Sequence, residues 1–451
     1  MTDEPRLMRR WWWGLAAAIF ASRVAAIFVL RSYLGDAGVY EHHEIAESLV
    51  EGRGFQFRFF SDVPHPSGHQ APALPFVLAL GYWLFGVGSH SGIAAAQVML
   101  ALVGTGGALA LGRMAWHWWG LRGLQVAMLA FLAYPAFAYM PTRVQSVNWT
   151  VAFLLVLLAG FVALVERRGG VRLAAWTGVA AGVGALGEPT LAAPFGLCWL
   201  VLAWMRRDRT RLAAAVALGF WLTVAPWMVR NVVVLGQLSF IKSAFGYVVW
   251  QGNHIGASGT DKRPVADSTA RALAWRIGGA DLERHLAAAR AQAVTVDADL
   301  SAADSAAIRA LPTERARMQW FQQRLREDLA RDPMHYVRLV ATRLRMLVWF
   351  DDTNPRAFVA AYRVPYLLLL GLALGGLWRW RRGRPVGAVM WGAALVGFTL
   401  VYALVIMSAR FRLPVEALLL LPVTGFVLQL TSWPSSAIRS TTNKPASRPS
   451  P

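Results

Sequence analysis

Long apolar runs alternate with short basic stretches over nearly the whole chain. Runs with few or no charges occupy 11–31, 72–88, 92–112, 123–140, 147–165, 173–189, 191–205, 212–229 and 358–378, and two more follow between 386 and 430. Most have the length of about 17–23 residues that lets a helix cross a hydrocarbon layer. Basic clusters punctuate them: Arg6, Arg9 and Arg10; Arg113 and Arg122; Arg167, Arg168 and Arg172; Arg206, Arg207, Arg209 and Arg211; Arg379, Arg381, Arg382 and Arg384. Arg and Lys collect on the cytoplasmic side of a membrane, so two crossings should separate successive clusters. Every later interval fits. The first holds three runs, and 72–88 is the one expected not to cross, because it is short, opens with Pro72 and Pro75, and ends at Gly86 and Gly88. The pattern predicts an all-α polytopic protein of about ten spans with both termini in the cytoplasm. A helix over 72–88 should lie in the outer leaflet. The predicted organisation is a transmembrane module 1–229 containing an outer loop 32–91, a helical extracytoplasmic segment 230–357, further spans over 358–432, and a tail 433–451. That tail, rich in Ser, Thr and Pro, is expected to be disordered.

Composition agrees with a membrane protein. Of 451 residues, 56% are hydrophobic and only 16% charged, and 21 Trp with 10 Tyr suit aromatic belts at two interfaces. The net charge of +20 does not point to nucleic acid, because the arginines sit in short loops between apolar runs. The single Cys198 lies inside an apolar run, which leaves no disulfide framework. Residues 11–31 are too long, and too poor in a small-residue cleavage site, for a simple signal peptide. They read as an uncleaved first span.

Acid stands out against this background. Tyr40 to Phe55 reads YEHHEIAESLVEGRGF. At about 100° per residue, Ile45, Ala46, Leu49 and Val50 share one helix face, and Glu44, Glu47, Ser48 and Glu51 the other. Glu41 falls at the seam, and Gly52 is a helix stop. This predicts an amphipathic helix lying flat on the outer leaflet with a seam carboxylate facing a cavity. Glu47 and Glu51 read as a solvated face. Glu41-His42-His43-Glu44 does not make a protein-built metal site, since neighbouring residues on a helix diverge; a divalent cation held jointly with a phosphate is the alternative. In the long outer segment, Pro312-Thr313-Glu314 should start a helix to about Arg331. Tyr336 to Phe350 reads as a basic amphipathic surface helix.

Arg410 and Arg412 lie in a tight outer turn between apolar spans, on the wrong side for the positive-inside pattern, so they need a partner. A phosphate is the natural one for a guanidinium fork. Arg230 and Lys242 are similar candidates at the exit of another span. Arg23, within the first span, must face protein or a water-filled cavity. Ion pairs to Glu41 or Glu188 are the structural alternative for these cations.

The order of several short motifs resembles GT-C glycosyltransferases, most nearly the bacterial relatives of dolichyl-phosphate-mannose protein mannosyltransferases and lipid A aminoarabinose transferases. They are Glu41-x-x-x-Ile45-Ala46 with Leu49 and Gly52-x-Gly54-Phe55; His69-x-x-Pro72-x-x-Pro75; Ala185-Leu186-x-Glu188-Pro189; Pro226-Trp227-x-x-Arg230-Asn231; Gly246 and Trp250-x-Gly252-Asn253; and Arg410-x-Arg412-x-Pro414. Together they cover about residues 10–430. The resemblance implies a polyprenyl-phosphate-linked sugar donor, a lipid, glycan or protein acceptor, and a site on the extracytoplasmic face of a bacterial inner membrane. It implies Glu41 as general base with Glu44 in reserve, and His69, Arg230, Lys242, Asn253, Arg410 and Arg412 toward substrate. The chain departs from the family in two places. The first-loop carboxylate is usually Asp, and the second outer loop, Pro141-Thr-Arg-Val-Gln-Ser, carries no acid. A lipid-linked sugar transporter and a non-catalytic envelope-assembly protein are the alternatives. The absence of an internal repeat, and charge gathered at the outer surface, weigh against transport.

Overall fold

A computed structural model describes residues 4–431 except 206–209, 275, 277–278, 382 and 384. The expectations for Arg206, Arg207, Arg209, Arg382, Arg384 and the tail 433–451 therefore lie outside the described residues. The first half of the chain forms α1 (Glu4–Leu30), α2 (Tyr40–Val50), α3 (Ala73–Phe85), α4 (His90–Ala133), α5 (Pro135–Tyr139), α6 (Ser146–Val165), α7 (Val171–Gly187), α8 (Ala192–Met205) and α9 (Thr210–Leu235). Shorter helices follow: α10 (Phe245–Asn253), α11 (Asp267–Ala274), α12 (Gly279–Ala291), α13 (Ala302–Ala310), α14 (Glu314–Arg331) and α15 (Pro333–Val348). The chain then re-enters the bundle as α16 (Ala360–Trp380), α17 (Ala388–Leu404) and α18 (Leu413–Thr431). The only described sheet is a two-stranded hairpin, β1 (Gln56–Phe57) against β2 (His65–Pro66).

Six helices are long and apolar enough to cross a membrane, and three shorter apolar ones, α7, α8 and α17, pack among them. The 44-residue α4 breaks at Gly120, whose φ of +66° turns the chain between the two apolar runs read from sequence. Pro135, which cannot continue a helix, ends that stretch. With α4 counted as two segments, each of the ten expected runs is helical. The chain is a multi-pass helical membrane protein. Close approach of small residues holds the bundle: a side chain at Gly178 on α7 would overlap the Val216 carbonyl of α9. By contrast, α3 has thirteen residues and spans about 20 Å, too little for a layer about 30 Å thick. Its Phe76, Leu80, Trp83, Leu84 and Phe85 are exposed.

One expectation for the first loop is corrected. The apolar face of α2 does not lie on lipid. Ile45 and Ala46 are fully buried, and Ala46 packs with Leu74, Leu78 and Tyr82 of α3 and with Ala96 and Leu100 of α4. It is α3 that presents an open apolar face. The end of α2 is set by Gly52, with φ +76°: Gly52 N–H donates to Leu49 O at 3.2 Å and Arg53 N–H to Ser48 O at 2.9 Å. That pair of bonds satisfies carbonyls the helix would leave open.

Candidate functional site

All the candidate residues lie at one pole of the bundle, where loops 31–72, 134–145, 236–359 and 405–412 meet. The organising group is Glu314, the first residue of α14, placed there by Thr313, whose side chain caps the helix through Ala316 N–H. The Glu314 carboxylate is buried and accepts from Ser67 Oγ at 2.6 Å, Gly68 N–H at 3.1 Å and Ser243 Oγ. Ser243 N–H in turn donates to Gly68 O at 2.7 Å. One acid thus fastens the segment carrying His69 to the segment carrying Lys242.

His69 is 5% exposed and stacks on Phe59, with ring centroids 4.6 Å apart; Phe57 is 5.0 Å and Tyr247 6.1 Å away. Its Nδ1 is buried with no hydrogen-bond partner. The same is true of Nδ1 of His42, on the first turn of α2 beside Glu41. Burial pushes the His42 imidazole down to about 4; Glu41 opposes this, while Lys242, Arg410 and His69 add to it. His69 is likewise pushed down to about 4 by burial, with Glu314 opposing and Lys242 adding. Glu41 also acts on Tyr247, whose hydroxyl donates to Asp297 at 2.7 Å. The charges of Glu41, Lys242 and Arg410 thus reach His42, and that of Lys242 reaches His69, which brings residues from four separate segments of the chain into one cluster.

Within that cluster two cations are uncommitted. Among the described residues, neither the Lys242 ammonium nor the Arg410 guanidinium has a hydrogen bond or an ion pair. Nε of Arg410 is buried without a partner, and its group lies 5.0 Å from the Phe411 ring centroid. The turn that carries Arg410 is fixed by the buried Asp351, which accepts from Ala409 N–H at 2.9 Å and from Thr353 Oγ1 at 2.6 Å.

Three other expected substrate residues are used structurally. Arg412 pairs with Glu416 at 2.7 Å, donates to Trp349 O at 2.7 Å and lies 3.8 Å from the Tyr366 ring centroid. It does not join the cluster. Asn253 donates to Val249 O and Val405 O, both at 2.8 Å, and accepts from the buried Arg343 at 2.9 Å. Both N–H donors of its side chain are thereby taken. Arg230 donates to Ser67 O at 2.7 Å and Phe55 O at 3.2 Å and sits over Phe55 and Trp227, so it pins the first loop to the end of α9. Glu44 faces Arg58 at 3.4 Å, and burial raises its pKa despite Arg58. Arg23 is buried and donates to Ala101 O at 3.3 Å; it pairs with neither Glu41 nor Glu188.

Sequence reasoning passed over Glu314, Asp351 and Asp36. Asp36 pairs with Arg143 of the second outer loop at 2.7 Å. Burial works to raise its pKa, but Arg143 and Arg290 outweigh that and hold it below the usual carboxylate range. The second loop thus brings a guanidinium, not an acid, to the first. Among the described residues, no three His, Cys, Asp or Glu side chains group as metal ligands. A divalent cation held jointly with a phosphate would have to lean on Glu41 and the phosphate itself. At the same pole an apolar cleft of about 350 Å3 opens between α3, α6, α7 and α9, lined by Phe76, Trp149, Leu186, Pro226 and Trp227.

No protein-family model matches the sequence, and neither does any curated protein. Among solved structures, the chain is similar to the oligosaccharyltransferase of Archaeoglobus fulgidus in its apo form, at 11% identity and a TM-score of 0.52, over 93% of this chain and 50% of that one. It is also similar to ArnT from Cupriavidus metallidurans bound to undecaprenyl phosphate, at 19% identity and a TM-score of 0.43, over 91% of this chain and 77% of that one. The chain spans about half the length of the oligosaccharyltransferase. What is shared at these identities is the fold alone.

Proposed function

We propose that the protein is an integral membrane glycosyltransferase. It moves a sugar from a polyprenyl-phosphate donor to an acceptor hydroxyl on a lipid, glycan or protein, at the extracytoplasmic face of a bacterial inner membrane. The observation that carries this reading is one carboxylate, Glu41, grouped at the loop pole with two cations, Lys242 and Arg410, that have no hydrogen bond or ion pair among the described residues. Cations left unpaired beside apolar spans are costly unless a ligand neutralises them. A phosphate does so, and its leaving-group charge grows during transfer, where fixed cations act most strongly.

The acceptor hydroxyl is a poor nucleophile at neutral pH, and attack needs a base within reach. Glu41 fills that role. It removes the proton as the oxygen bonds to the anomeric carbon, while the bond to the phosphate oxygen breaks. Polyprenyl phosphate leaves with the electron pair and is held by Arg410 and Lys242. A single displacement inverts the anomeric centre. The prenyl chain runs along the apolar spans near 386–430, and the cleft between α3 and α9 offers a second apolar surface at the same pole.

The test is incubation of the purified protein with polyprenyl-phosphate sugars, scored by mass spectrometry for transfer or hydrolysis. Wild type should release sugar from at least one donor, and correctly inserted Glu41→Gln should release none. Lack of turnover with every donor would favour a transporter or an assembly protein. Full activity of Glu41→Gln would remove the base.

A further inference from the structure

In the proposed transfer Glu41 takes the acceptor proton, and Arg410 and Lys242 hold the phosphate. Resting on that reading, we infer that His42 and His69 form the sugar subsite, offering their Nδ1 atoms to hydroxyl groups of the donor ring against a wall made by Phe59 and Tyr247. Position supports this first. During displacement the anomeric carbon lies between the attacking hydroxyl and the leaving phosphate, so the ring occupies the space between base and cations. His42 is adjacent to Glu41 and interacts with Lys242, Arg410 and His69 together. His69 feels Lys242 and packs beside Tyr247, their ring centroids 6.1 Å apart, and Tyr247 in turn feels Glu41.

Satisfaction of polar atoms supports it independently. A buried polar atom without a partner costs free energy, and such atoms in folded proteins are few. Nδ1 of His42 and Nδ1 of His69 are both of this kind, and both belong to this one cluster. Other polar groups nearby are already taken: Tyr247 by Asp297, Gln251 by Tyr247 and Asp297, Ser67 and Ser243 by Glu314. The histidines are what remains to meet a ligand.

The chemistry of the pair selects the kind of ligand. Held near 4, both imidazoles are neutral around pH 7 and do not compete with Arg410 and Lys242 for phosphate. A neutral imidazole has one donor and one acceptor nitrogen, which suits a hydroxyl that also donates and accepts. The rings of Phe59 and Tyr247, with centroids 5.1 Å apart, add apolar surface for the C–H face of a sugar. The subsite fits an uncharged, hydroxyl-bearing pyranose or furanose.

The experiment compares binding of undecaprenyl phosphate, which has no sugar, with undecaprenyl-phosphate glucose, mannose, galactose and arabinose, for full-length protein in detergent. The variants are His42→Phe and His69→Phe, which keep a ring and lose both nitrogens, and His42→Asn and His69→Asn, which keep polar atoms near Nδ1. For the sugar that wild type prefers, each Phe variant should lose affinity roughly ten-fold, the worth of one well-placed hydrogen bond. Bare undecaprenyl phosphate should bind each within about two-fold of wild type, and the Asn variants should recover most of the loss. Equal weakening toward bare and sugar-bearing lipid overturns the subsite and places the histidines with the phosphate or the fold. Unchanged affinity for the sugar-bearing lipid also overturns it while leaving the glycosyltransferase reading intact. If wild type binds none of the five lipids, that reading fails and the subsite falls with it.

Discussion

Arg410 and Arg412 are two residues apart in one turn, and their removal should have opposite consequences. Arg412 is 13% exposed at the side chain and Glu416 only 2%, at 2.7 Å. Arg412→Ala removes that partner and leaves Glu416 buried with Tyr134 as its remaining donor, at 2.8 Å. Breaking one side of a buried pair costs about 3–5 kcal/mol. The lost bond to Trp349 O and the contact with Tyr366 act in the same direction. Arg410→Ala removes no ion pair and no hydrogen bond, so its effect on stability should stay within about 1 kcal/mol. On the proposed function it removes a charge-assisted bond to a phosphate, about 1.5–3 kcal/mol, or roughly a 10- to 150-fold loss of affinity. Thermal unfolding in detergent and binding of undecaprenyl phosphate separate the two effects. Arg412→Ala should lower the midpoint clearly and keep affinity in the fraction that remains folded. Replacing the pair together, Arg412→Met with Glu416→Leu, should recover much of the stability, because matched apolar residues avoid the desolvation cost of the ions. An Arg412→Ala protein of unchanged stability that no longer binds the lipid would refute the assignment. So would an Arg410→Ala protein that unfolds early yet binds normally.

Three further outcomes follow from the same geometry. Glu314→Ala strands three donors in a buried site and should cost about 3–6 kcal/mol. Glu314→Gln, which keeps one acceptor oxygen, should cost much less; equal midpoints for the two variants would count against the clasp. His42 and His69 titrate near 4 in the fold and near their ordinary 6.5 when unfolded. Below 6.5 the unfolded chain binds more protons, so stability is full above that pH and declines toward pH 4. The decline should shrink in the Phe variants, and a midpoint flat from pH 7 to 4.5 in wild type would contradict it. Finally, Arg143→Ala leaves Asp36 with only the more distant Arg290, and its pKa should rise toward ordinary values, as read by the carboxyl titration of Asp36 in labelled protein. An unmoved titration would place its control elsewhere.

Much of the bundle was legible because its cause is local. Apolar run length, basic clusters, and the prolines and glycines that bound 72–88 each report on a few neighbouring residues, and α3 emerges with the shortness its sequence predicts. Charges beside spans are rare enough to notice, which is how Lys242 and Arg410 came forward, whereas His69 came forward through its motif with Pro72 and Pro75. Such local logic failed where a side chain's commitment is decided far along the chain. Asn253 is claimed by Arg343, ninety positions away, and Glu314 by Ser67 and Gly68, across 247 and 246. No periodicity encodes such distances. One signal was present and missed: Arg412-x-x-x-Glu416 is an i,i+4 pair at a helix start, a spacing that favours an ion pair over a free cation. The misplacement of α2 has a different origin. A wheel says which face is apolar, and it cannot say whether lipid or α3 will cover it.

The Glu314 clasp also sets an order of events during synthesis. At about 5–20 residues per second, roughly twelve to fifty seconds separate the emergence of Ser67 from that of Glu314. Through that interval the seven spans up to α9 can enter the membrane, but the turn carrying His69 has nothing to close it against Ser243. Arg410 arrives later still. The transmembrane scaffold is thus laid down early and the loop pole is finished last, when the segment between α9 and α16 folds back over the first loop. A chain halted anywhere before α14 would be an inserted membrane protein with the turn carrying His69 still unfastened.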